Sequence, residues 1–153
     1  LELSQQLSEV TQEIFLSMLS LEVAPGEAMS EFSNTYSNTV SGMVGMTGLY
    51  KGALAIHASL EVAKKITSQM LFMDVDEVNE DVLDAMGEMA NMLAGNMKAA
   101  LSSNGKDIEL SVPTAVCGEK YSLDIKDAGE HLIVPFTTDI GNFSVQFNFE
   151  KQH

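Results

Sequence analysis

Tryptophan is absent from this chain, cysteine occurs once and proline three times. The single thiol, Cys117, excludes an intrachain disulfide and a multi-cysteine metal site, and fits a reducing cytoplasm. Basic residues are scarce: eight stand against 22 acidic ones, for a net charge of −14. Phosphate backbones and anionic lipid surfaces attract basic faces, so general binding to nucleic acid or to a membrane surface is not expected. No apolar run approaches the roughly 18–20 residues of a transmembrane helix. The sequence as given opens with no basic stretch leading into an apolar one, so no secretory signal is expected and the location expected is cytoplasmic.

What is present is enough for a core. Apolar residues make up 45% of the 153 and charged residues 20%, which excludes a disordered chain. This length predicts a single domain over 1–153 that buries roughly two-thirds of its unfolded surface.

Hydrophobic spacing predicts the elements. Leu7, Val10, Ile14, Met18 and Leu21 recur at helical steps, giving a helix over 3–20 that ends before Ala24-Pro25-Gly26. From 27 to about 59 the pattern alternates, and three antiparallel strands are predicted there, with turns near 38–40 and at Gly48. Helical spacing returns over 60–72 with Ser59 as N-cap. An acidic connector, 72–79, leads to a long helix over 80–103, stopped by Asn104-Gly105. Four strands follow, over 108–112, 121–125, 132–137 and 143–149, the last three separated by turns at 127–129 and 139–141. The order predicts an α+β fold: antiparallel sheet with helices packed on one face, in two pseudo-repeated halves of helix plus strand meander.

The long helix carries the functional information. On a wheel of about 100° per residue, Glu88, Asn91, Gly95 and Lys98 fall within roughly 40° of Asp84. This narrow polar stripe lies opposite a core face of Val82, Met86, Met89, Ala90, Leu93, Met97 and Ala100. Gly87 and Gly95 each cost about 1 kcal/mol relative to Ala inside a helix. Either they pack against a neighbour within the fold, or they keep a ridge low so that a partner can approach the tips of Glu88 and Asn91.

The run Asp84-Ala-Met-Gly-Glu88-Met-Ala-Asn91, with Pro113 following 22 positions after Asn91, resembles the signature of the CheC/CheX/FliY phosphatases of bacterial chemotaxis. That signature is Asp or Ser, three residues, Glu, two residues, Asn, about 22 residues and Pro; the spacer here is 21 residues. Residues 87–96 and 112–118 resemble the CheX branch, as does the order of elements. A first-half copy of the motif, as in CheC, is not found: the first helix offers only Glu9-Val-Thr-Gln12.

The resemblance implies a phosphatase acting on the aspartyl phosphate of a CheY-like response regulator. It assigns Asn91 to orienting the attacking water and Glu88 to pairing with the regulator's active-site lysine, both as catalytic residues. It implies that Mg²⁺ is held by the regulator, that this chain has no metal or cofactor of its own, and that the chain forms a homodimer. Asp84, Gly87, Met92, Gly95 and Lys98 are the expected partner-binding residues. Asp84 either contacts the partner or adds negative surface. Two other functions stay open: a response-regulator-binding or flagellar-switch-like adaptor of the same fold, and an interaction protein whose motif is accidental.

Other features point to no chemistry. His57, His131 and His153 lack metal-ligand spacing, and His57 is expected as a surface or internally satisfied histidine. Cys117 has no activating neighbour in sequence, and the glycines from 42 to 52 lack the ending of a phosphate-binding loop. Pro113 is expected to shape a strand start or edge. The strands from 131 to 149, with one apolar face, are expected to supply an edge for pairing between two chains.

Overall fold

A computed structural model describes residues 2–123 and 129–152. The elements in chain order are α1 (Leu3–Leu19), β1 (Ala24–Pro25), β2 (Thr35–Gly48), β3 (Tyr50–Ser59), α2 (Leu60–Leu71), α3 (Glu80–Leu101), β4 (Ile108–Leu110), β5 (Thr114–Ser122), β6 (Glu130–Thr138) and β7 (Gly141–Lys151). One seven-stranded sheet runs β1-β6-β7-β3-β2-β4, with β5 also paired to β2. Every pairing is antiparallel.

The sheet is built from two hairpins, β2-β3 and β6-β7, joined side by side through β3 and β7. The halves exchange their edges. The short β1 of the first half pairs with β6, and β4 and β5 of the second half pair with β2. The expected pseudo-repeat is thus present as an interleaved pair.

Alternation decides which face of the sheet meets the helices. Val40, Val44 and Met46, then Leu54 and Ile56, then Phe143, Val145 and Phe147 are buried in one cluster with α1, α2 and α3. Phe143 is stacked on both Phe15 of α1, at 4.5 Å, and Phe136 of β6, at 5.2 Å. Helix α3 lies across β2 and β3 and touches α1 and α2. Gly42 permits its close seat: a Cβ built there would stand 2.2 Å from the Met86 carbonyl oxygen.

The opposite face of the sheet is polar but not open. Chain 26–34 leaves the β6 edge, where Met29 bridges Ile133, and returns toward β5, where the Leu123 N–H donates to the Asn34 carbonyl. Along the way Ser30, Glu31, Phe32, Ser33 and Asn34 line a cavity with Gln146 and Asn148 of β7.

The structure corrects the strand expectations at three places. Two strands, not three, fill the stretch up to Ser59, because residues 27–34 are the crossing segment. No turn forms at 38–40: Asn38 takes a left-handed φ of 48°, yet pairing with β5 holds on both sides of it. The left-handed residue reverses the alternation, so Tyr36 faces His57 on the polar side. Third, β5 begins at Thr114 and not at 121. It is an edge strand with its residues exposed or half-buried, so no period-2 pattern marks it.

The helices match expectation closely. Ser59 caps α2 by accepting from the Val62 N–H at 3.1 Å. Hairpin turns sit at Gly48, with a φ of 102°, and at 139–141. The turn expected at 127–129 and the end of the strand expected at 121–125 lie outside the described residues, as does His153. The strands from 131 to 149 offer less free edge than expected. β7 is interior, Phe143, Val145, Phe147 and Phe149 are core, and β6 is partly covered by β1 and Met29. An open edge belongs to β5, which pairs only with β2 among the described residues.

Candidate active site

Helix α3 begins at a strong cap. The Asn79 Oδ1 accepts from the N–H groups of Asp81 and Val82 at 3.0 and 3.4 Å, and Glu80 and Asp81 place negative charge on the first turn. The helix ends at Ser102, whose N–H donates to the Lys98 carbonyl. Val82, Met86, Met89, Ala90, Leu93 and Met97 are buried, which fixes the rotation of the helix. Ala100, expected on the core face, is exposed, because it lies in the last turn beyond the body of the sheet.

That rotation turns Asp84 and Glu88 to solvent and leaves Asn91, Met92, Gly95 and Lys98 half-buried. Among the described residues, no ion pair engages Glu88, and the side chain of Asn91 has no hydrogen bond to protein. A side chain meant for an incoming partner must keep its hydrogen-bonding capacity free in this way.

A groove of about 520 Å³ runs along the N-terminal half of α3. Glu80, Leu83, Asp84, Gly87 and Glu88 form one wall, and Pro113, Thr114 and Ala115 form the other. The two walls meet at Gly87, which is buried: a Cβ there would lie 3.7 Å from the Pro113 Cβ. Gly87 therefore packs against its own chain, the first of the two alternatives read from the sequence, while it also lines the groove. Gly95 differs, since a Cβ there would meet nothing within 4 Å. Met92, expected as a partner contact, is half-buried against the core cluster.

The sequence brought Asp84, Glu88 and Pro113 to notice, and the fold gathers all three at one groove. Asn91 and Lys98 continue the same helix face beyond it. Glu80, Leu83, Thr114 and Ala115 were not singled out. Glu80 had a signal, lying one turn before Asp84 on the same stripe, and Thr114 and Ala115 lie in the 112–118 stretch of family resemblance; Leu83 had none, and the meeting of β5 with α3 was not marked.

The other titratable candidates are placed away from α3. His57 is buried on the polar face of the sheet. Its Nδ1 is 2.7 Å from the Ser41 Oγ, and its Nε2 is 2.8 Å from the Gln146 Oε1. The amide oxygen only accepts, so Nε2 carries the proton and Nδ1 accepts from Ser41. Burial pulls its pKa down to about 4, against the opposing effect of the Gln146 hydrogen bond. Tyr36 donates to Gln146 and is pushed up to about 12 by burial and by the nearby Tyr121. Of the two positions the sequence left open for it, surface or satisfied, His57 takes the satisfied one. Cys117 is exposed on β5. Among the described residues, no three His, Cys, Asp or Glu side chains are grouped to hold a metal ion, and no helix is long and apolar enough to cross a membrane.

The model of the family described as chemotaxis phosphatase CheX matches residues 40–137, from β2 through the long helix to β6. The chain belongs to the CheX family. Over 121 residues it is 31% identical to the CheY-P phosphatase CheX of Thermotoga maritima, covering 78% of this chain and 77% of that protein. The crystal structure of a CheX from Desulfovibrio desulfuricans superposes with a TM-score of 0.86 at 27% identity, covering 98% of this chain and all of the other. CheX from Borrelia burgdorferi, solved as a CheX-CheY-BeF3-Mg complex, shares the fold with a TM-score of 0.83 at 24% identity, over 98% of this chain and 99% of that one. A FliY from Thermotoga maritima shares the fold more distantly, with a TM-score of 0.62 at 18% identity over 97% of this chain and 91% of that one.

Proposed function

We propose that this chain hydrolyses the aspartyl phosphate of a CheY-like response regulator. The observation that carries the reading is the pair Glu88 and Asn91 on the solvent side of α3, beside a groove closed by Pro113, in a chain that belongs to the CheX family. Attack of water on the phosphorus passes through a loose transition state, so catalysis consists mainly of positioning and charge neutralisation. This chain has eight lysines and no arginine, so it brings no bidentate phosphate clamp. The positive charge at the phosphoryl group is supplied by the regulator, as its bound Mg²⁺ and its lysine. What the chain adds is an amide. The Asn91 side chain accepts a hydrogen bond from water through its oxygen and donates to a phosphoryl oxygen through its NH₂, which fixes the water in line. Glu88 lies one turn earlier and pairs with the regulator's lysine, setting the register of docking. Asp84 and Glu80 extend the negative wall toward that same lysine.

The cytoplasm is the proposed location, because the proposed substrate is made there. The proposed assembly is a homodimer through the open edge of β5, which presents unpaired backbone groups along nine residues.

The deciding experiment is release of phosphate from a CheY-like regulator charged with acetyl phosphate in Mg²⁺. A rate well above the regulator's own autodephosphorylation supports the phosphatase. Binding without acceleration would leave an adaptor, and neither would end the reading.

A further inference from the structure

The registers of β4 and β5 on β2 are out of step by one residue. Leu110 of β4 faces Met46, and Thr114 of β5 faces Met43. Between these pairs β2 has two residues, Val44 and Gly45, while the other strand has three, Ser111, Val112 and Pro113. The second strand therefore carries a β-bulge. Such a bulge re-aims a side chain, and bulges gather at sheet edges and beside active sites.

This bulge is held firmly. The Ser111 N–H donates to the Gly45 carbonyl at 2.9 Å, and the Gly45 N–H donates to the Ser111 Oγ at 2.8 Å. The Ser111 hydroxyl in turn donates to the Val112 carbonyl at 3.2 Å. Ser111 thus uses its side chain to satisfy a ladder group that the extra residue would otherwise orphan. Pro113 fixes the following φ and rests on Gly87, the residue before Glu88. The side chain thrown outward by this arrangement is Val112, 82% exposed. A β-branched apolar residue gains nothing from water at that position, and its rigid mounting removes most of the ordering cost of a contact.

We propose that Val112 is a specificity-determining docking residue, an apolar knob that seats against an apolar patch bordering the phosphorylated cleft of the response regulator. It rests on the phosphatase reading above. The partner assignment follows from continuity: the next two residues line the groove with Glu88, so a protein that covers Glu88 also covers Val112. The acidic wall supplies the polar contact and the bulge the apolar one, which is the usual make-up of a small specific interface.

The test uses Val112→Asp, Val112→Ala and Val112→Ile, with Phe72→Ala as the control. Phe72 is 91% exposed at the far end of α2, so it tests loss of an exposed apolar side chain in general. Steady-state hydrolysis gives KM and kcat for the phosphorylated regulator, and anisotropy gives Kd for the regulator charged with beryllofluoride. The expected result is a KM and Kd raised roughly tenfold by Val112→Asp and about threefold by Val112→Ala, with kcat within twofold and unchanged melts. Val112→Ile and Phe72→Ala should match the parent. An unchanged Kd for Val112→Asp, or an equal effect from Phe72→Ala, would overturn the inference. Binding without hydrolysis by the parent would remove the phosphatase reading while leaving the Kd series to judge Val112 by itself.

Discussion

Asn91 and Glu88 sit one turn apart with unengaged side chains, and their substitutions should separate. If Asn91 places the water as proposed, Asn91→Ala should lower turnover roughly 100-fold or more. Its melting temperature should hold or rise slightly, because Ala is the better helix former. A variant that melts normally and hydrolyses at the parent rate would exclude Asn91 from the chemistry. If Glu88 docks the regulator as proposed, Glu88→Ala should instead raise KM as well as lower turnover. His57 makes a prediction of another kind. Its folded pKa, about 4, lies below the ordinary histidine value of about 6.5, so the unfolded chain binds the proton first as pH falls. The stabilisation is therefore complete above about pH 6.5 and is lost as pH drops through about 4, by an amount on the order of 3 kcal/mol. Urea midpoints between pH 4 and 7 should show this slope, and His57→Gln should flatten it. The polar stripe that carries Glu88 and Asn91 was legible in the sequence from its helical spacing, whereas His57 was left open between a surface and a satisfied position. The partners of His57 were not legible, because Ser41 and Gln146 lie 16 and 89 positions away in the chain.

Helix α3 was legible almost to its last residue, because a helix with a buried face writes a local period that a cap and a stop residue bracket. The two glycines in it looked alike in the sequence and differ in the fold. Gly87 touches Pro113, whereas Gly95 faces empty space, so Gly95→Ala should stabilise the protein by about 0.5–1 kcal/mol and raise the melting temperature by roughly 2–4 °C. If activity falls while stability rises, the bare Cα at 95 serves the approach of the partner; if both hold, the glycine is incidental. Strands were less legible. β3 and β7 are central, and their alternation is clear. β5 lacks a buried face, so its residues carry no pattern, and its bulge is visible only as a one-residue offset between two pairings. The chain at 27–34 alternates like a strand because Phe32 turns inward over the polar face, yet no neighbouring strand is there to receive most of it.

For the whole molecule, a net charge of −14 and an acidic groove make association with a lysine-presenting partner sensitive to ionic strength. KM for the phosphorylated regulator should rise severalfold between about 0.05 and 0.5 M salt, with kcat little changed; a KM indifferent to salt would remove charge from docking. Light scattering should report twice the chain mass at micromolar concentration, and Val116→Lys together with Cys117→Lys on β5 should return it to one. The pseudo-repeated architecture was legible from the order of elements, but the exchange of edge strands between halves was not, since no local pattern records which hairpin an edge joins. That the ridge of α3 stands where it does depends on an atom the chain omits. A methyl group on Gly42 would collide with the Met86 carbonyl, so Gly42→Ala must lift the middle of α3 from the sheet. The tips of Glu88 and Asn91 would rise with it, while Pro113 and the bulge, fastened to β2, would stay behind. The height of Glu88 and Asn91 above their opposing wall is in this sense gauged from inside the core, and if the proposed roles hold, a residue with no contact to the partner would tune turnover by altering how deep the Asn91 amide can reach.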